Sequence, residues 1–176
     1  MDDHILIPQY ITQWGVLTSF IILSFSFISY KYKYNLLCGA TFALFVTSIL
    51  HWYRMTAFGP LKILDVLFGI TVLGLVIFYY IDDLKPKYRI TLYYTAIIMN
   101  LIFIFNWIIT YYQIMNNKSL DPHDHQRKYD YFSLEYTNPH TEAREQSYYY
   151  VTCVHLLCVH LIPGSILSYC FIMSNI

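Results

Sequence analysis

Five runs of apolar residues, each long enough to cross a bilayer as a helix, constrain this chain more than any other feature of its sequence. They cover residues 14–30, 35–53, 63–81, 90–112 and 148–173. A helix needs about 20 residues to cross the hydrocarbon, with about 17–25 as the working range. Backbone polar groups in lipid have no water to bind, so each run must satisfy them internally as a helix. Composition agrees: 57% of the residues are hydrophobic and only 12% are charged, about half the charge of an ordinary soluble domain. The predicted fold class is all-α, a single integral membrane bundle of about five transmembrane helices with the lipid bilayer as its main solvent. Tyrosines flank the runs as an interfacial belt would, at Tyr30, Tyr32 and Tyr34, at Tyr79 and Tyr80, at Tyr111 and Tyr112, and at Tyr148 to Tyr150.

The leader "MDDHILIPQYITQ" is acidic. The first run therefore reads as a retained anchor and not as a cleaved signal. Lys31 and Lys33 lie between runs one and two, and Lys85, Lys87 and Arg89 between runs three and four. The opposite short loops hold only Arg54 and Lys62. Positive residues favour the cytoplasm, which predicts a lumenal or outside N-terminus and a cytoplasmic C-terminus. The polar loop 113–147 carries four basic and six acidic residues and lies on the N-terminal side. It lacks an apolar face, so residues 120–146 are expected to be the most protease-sensitive part of the chain unless they fold over the membrane or pair with other membrane subunits. Asn117-Lys118-Ser119 is a glycosylation sequon on that side, and Thr141 reads as the cap of a short helix. Net charge of zero and the lack of any nucleic-acid motif argue against a phosphate-binding surface and a nucleic-acid partner. The cysteines, Cys38, Cys153, Cys158 and Cys170, all lie in apolar runs and form no disulfide framework.

The stretch "TSILHWYRMTAFGPLKILDVLF", residues 47–68, places a histidine and a carboxylate at facing ends of two apolar runs. Thr47 and His51 are four apart and share a helix face. Asp65 enters the next, antiparallel run after a short loop. Run five carries His155 and His160, so three histidines and one carboxylate lie at a common membrane level. The remaining histidines, His4, His123, His125 and His140, belong to the leader and the long loop. Ionisable groups within a membrane are costly and mark functional sites by default. Three imidazoles with an open position are the ligand set of a catalytic zinc, whose bound water becomes nucleophilic near neutral pH, and an adjacent Asp could accept its proton. Haem is a poorer fit, because only run five carries two histidines.

Plainer readings stand beside this one. His51, Trp52, Tyr53 and Arg54 are also the residues of an interfacial anchor. Asp65 near a helix start is favoured by the helix dipole. His155, His160, Asn100 and Asn106 are suited to hydrogen bonding between helices.

Thr47-x3-His51, Leu64-Asp65 and the histidine pair of the last run resemble the CREST membrane hydrolases, the superfamily of alkaline ceramidases, progestin and adipoQ receptors and bacterial haemolysin-like proteins. Its pattern is Ser-x3-His in the second span, Asp in the third and His-x3-His in the seventh. The resemblance implies a zinc-dependent hydrolase of lipid amides or esters. His51, His155 and His160 would be the metal ligands, Asp65 the partner of the water and Thr47 the hydroxyl donor. This chain has five runs and not seven, and threonine replaces serine. Its last two histidines are five residues apart. Five residues turn an ideal α-helix by about 500°, leaving the rings roughly 140° apart. A local bulge, for which Pro163-Gly164 supplies a cause, would aim both at one metal; alternatively His155 and Cys158 form the pair. The competing class is a non-catalytic membrane protein: a scaffold, an accessory subunit of an organellar complex, or a viral membrane component.

Overall fold

The computed structural model describes residues 9–53, 60–116 and 153–176. The leader before residue 9, Arg54 and the rest of segment 54–59, and residues 117–152 lie outside them. The expectations for the sequon, the protease-sensitive loop, the Thr141 cap and His4, His123, His125 and His140 therefore fall outside the described residues. Those residues form five helices and no strand. Helix α1 is Gln9–Lys31, α2 is Asn35–Tyr53 and α3 is Pro60–Gly74. Helix α3 runs on through a π turn, Leu75–Tyr80, and a 3-10 turn, Ile81–Asp83. Helix α4 is Pro86–Asn116. Helix α5 is Cys153–Asn175, with a π segment at Leu156–Leu161 before its α-helical part, Ile162–Asn175.

Among the described residues, four helical stretches are long and apolar enough to cross a membrane: Thr12–Lys31, Asn35–Tyr53, Ile63–Asp83 and Cys153–Asn175. Large apolar side chains face outward along them, with Phe78 at 87% exposure and Phe27 at 65%. Such surfaces belong in lipid. The chain is an all-α, multi-pass membrane protein. The expected fourth run, 90–112, lies within α4, and the helix continues four residues beyond that run, to Asn116.

The connections follow from local chemistry. Helix α1 closes with Lys33 in the left-handed region at φ 66°. Lys33 N donates to Tyr30 O at 3.0 Å and Tyr34 N to Ser29 O at 2.9 Å, the paired bonds of a Schellman turn. Pro60 and Pro86 open α3 and α4, where the missing N–H costs nothing. Arg89 fixes the turn before it by donating from Nε to Leu84 O at 2.7 Å and from Nη2 to Asp82 O at 2.6 Å. Its ion pair with the exposed Asp82 adds little on its own.

The helices neighbour one another in the order α3, α2, α1, α5, α4. One end of the bundle is an apolar core. Phe171 and Leu37 are fully buried there with Phe25, Tyr80 and Leu84, and Phe171 meets Phe25 and Tyr34 edge to face at 5.3 and 5.2 Å. Lys85 Nζ donates to Met173 O at 3.1 Å, which places the α3–α4 turn beside the C-terminal end of α5. In lipid, apolar packing gives helices little reason to associate, so small and polar residues line their seams. Ser19, Ser26, Ser29, Thr41 and Ser48 are all buried along the α1–α2 hairpin. Ser19 Oγ donates to Gly15 O at 2.8 Å and lies 3.2 Å from Ser48 Oγ, and Ser26 Oγ donates to Cys38 O at 3.0 Å.

Candidate functional site

The opposite end of the bundle holds the residues singled out by sequence. On α2, Thr47, Ser48, His51 and Trp52 are buried in two successive turns. Thr47 Oγ1 lies 3.1 Å from both Ala43 O and Leu44 O in its own helix, and 3.4 Å from Asp65 Oδ1 of α3, a long hydrogen bond. The expected juxtaposition of Thr47 and Asp65 is present. Asp65 itself is half-buried. It does not begin its helix: α3 starts at Pro60 with no acid in its first turn. The dipole explanation for Asp65 is therefore corrected, since that field acts within the first turn only.

On α5, the five-residue spacing of the histidines meets a π segment. Hydrogen bonds there run between residues five apart, as in Ile162 N–H to Leu157 O. His155 immediately precedes this segment and His160 lies within it, so the wider turn brings the second ring back over the first. Their centroids are 5.4 Å apart at an interplanar angle of 64°. Pro163 follows at once; it has no N–H to give to Val159 O, which removes an α-helical bond where the wider turn closes. Cys158 is buried in the same segment.

Trp52 joins the two halves. Its ring lies 5.5 Å from His51, 5.5 Å from His155 and 6.1 Å from His160. It is fully buried, whereas Tyr53 beside it is 74% exposed. The anchor reading is thus corrected for Trp52 and His51, which turn inward. Trp52 Nε1 has no hydrogen-bond partner among the described residues. Its indole rests against Gly15 of α1, where any Cβ would overlap it. One turn along α1, Thr18 Oγ1 lies 3.1 Å from His160 Nδ1. The expectation for Asn100 is also corrected: its Nδ2 donates to Ala96 O of its own helix at 2.7 Å and the residue is exposed. The Asn106 side chain lies outside the described residues.

Helix α1 was not read from sequence as part of the site. The available signal was Gly15, Thr18 and Ser19, small and polar residues three and four apart in an apolar run. The candidate ligands occupy one neighbourhood but not one coordination shell. Among the described residues no three His, Cys, Asp or Glu side chains converge as a metal-binding group. Bringing three of them onto one ion requires side-chain rotation. The donor types are those of a zinc site: three imidazoles, with the Asp65 carboxylate beside Thr47, which lies one turn from His51 on α2. No family profile matches the chain, and neither does any curated protein or solved structure.

Proposed function

We propose that this membrane protein is a zinc-dependent hydrolase of lipid amides or esters, with His51, His155 and His160 as the residues that hold the metal. The observation that carries the reading is the π turn. It removes the main geometric objection to pairing His155 with His160, at the level where Trp52 touches His51 as well. Bound zinc would supply a Lewis acid and an activated water. Beside it, Asp65 would accept a proton from that water and later give it to the leaving group. Thr47 Oγ1, 3.4 Å from Asp65 Oδ1, would help to place that carboxylate. Trp52 fills the space around the imidazoles and limits water to the reacting side.

Elemental analysis of the detergent-purified chain tests this without a choice of substrate. The expected result is about one zinc per chain, lost in His51→Ala and His155→Ala and kept in His123→Ala. Correctly folded but metal-free protein overturns the hydrolase. That outcome would favour the non-catalytic reading, which draws on the internal pairing of the polar layer: Thr47 with Asp65, Thr18 with His160 and Ser19 with Ser48.

The site would face a lumen or the outside. Lys33 and Lys87 flank the end of the bundle where Lys85 meets the C-terminal turn of α5, and positive loops favour the cytoplasm. Single cysteines at 33 and 87, in a background lacking the four native ones, should label from the cytoplasmic side and a cysteine at 125 from the other. Labelling of 125 from the same side as 33 overturns this orientation.

A further inference from the structure

Thr18 of α1 has a hydrogen bond to a candidate ligand, His160. Its Oγ1 lies 3.1 Å from Gly15 O and 3.1 Å from His160 Nδ1. A hydroxyl has one proton and two lone pairs. Helical threonine commonly gives that proton to a carbonyl three or four residues back, and Gly15 O, three residues back, can only accept. With its proton committed there, Oγ1 meets His160 as an acceptor. A neutral imidazole carries one ring hydrogen, so the contact requires it on Nδ1 and leaves the lone pair on Nε2.

We infer that Thr18 is a positioning residue, which holds His160 as its Nδ1–H tautomer and presents Nε2 as the nitrogen for the metal. The tautomer half rests on Thr18 giving its proton to Gly15 O, which Ser19 Oγ also approaches at 2.8 Å; the metal half rests on the hydrolase reading. Imidazoles that bind metals generally donate their other N–H to a fixed acceptor, which sets ring orientation as well as tautomer. Here that acceptor is a hydroxyl, on a helix 142 residues away in sequence. His160 is 2% exposed and Thr18 is partly buried, so bulk water does not compete for the bond. This gives α1, which carries no ligand, a part in selecting the binding nitrogen.

The test has two readouts on the full chain in detergent. In metal-free protein labelled with 15N-histidine, two-bond proton–nitrogen correlation reads the tautomer of each ring, and His160→Gln assigns the signal. The expected wild-type form is Nδ1–H, retained in Thr18→Ser and lost to the Nε2–H form or a mixture in Thr18→Val, with Thr18→Ala in reserve should the valine variant not fold. An Nε2–H form in wild type, or no change in Thr18→Val, overturns the inference. The second readout is zinc affinity by chelator competition. It should fall about 10–100-fold in Thr18→Val and return in Thr18→Ser. Stoichiometric wild-type zinc with undiminished affinity in Thr18→Val overturns the positioning role. Wild-type protein that binds no zinc overturns the metal half together with the hydrolase, while the histidine spectra still decide the tautomer.

Discussion

Trp52→Ala should lower the unfolding free energy by about 3–5 kcal/mol, the range for truncating a buried aromatic side chain. The ring is fully buried and makes contact with three imidazoles and the backbone at Gly15. In lipid the water-driven part of this cost shrinks, but the dispersion contacts are lost outright because nothing fills the space. Trp52→Phe should cost much less. It keeps most of the ring and removes an N–H that has no partner among the described residues, so no satisfied bond is broken. Reversible denaturation in mixed micelles measures both. A cost for Trp52→Ala no larger than the roughly 0.5 kcal/mol of a surface substitution would place the ring outside the packed interior.

Gly15→Ala should destabilise by about 1–3 kcal/mol, because its methyl overlaps the Trp52 indole and neither side has free space. The sign makes the experiment decisive. Within a helix, glycine is worse than alanine by roughly 0.5–1 kcal/mol, so the same change should be favourable where space is open. Gly39 in α2 and Gly69 in α3 have nothing within 4 Å of an added Cβ. Gly39→Ala and Gly69→Ala are the controls, expected to stabilise. Combining Gly15→Ala with Trp52→Ala should recover part of the loss, with a coupling of about 0.5–3 kcal/mol for residues in contact. A stabilising Gly15→Ala in the wild-type background would show that α1 and α2 do not meet here as described.

Much of the site was legible in the run of residues 47–68. Helical spacing alone puts Thr47 and His51 on one face, and the short connection to Asp65 forces α2 and α3 side by side. The apolar run from residue 63 matches the membrane-crossing stretch Ile63–Asp83, while the helix itself begins three residues earlier at Pro60, so Asp65 lies beyond its first turn. Trp52 was legible only as an aromatic at a helix end. Which way such a ring turns depends on whether a neighbouring helix offers it room, and Gly15 offers that room from 37 positions earlier in the chain.

By itself the sequence determined the solvent and the helical class, with four of its five apolar runs long and apolar enough to cross a membrane among the described residues, since apolar length and the need to satisfy backbone hydrogen bonds are local properties. It also indicated which polar residues meet at one end of the bundle, because successive helices reverse direction. It left open whether His155 and His160 share a face. A five-residue spacing excludes that in an α-helix and permits it in a π turn. The tertiary structure decided for the π turn, in a segment that packs against α1 and α4 and puts His160 in reach of Thr18. The physical reason is that the two helical forms differ by one hydrogen-bond step per turn, a difference small enough for Pro163 and contacts across the bundle to settle.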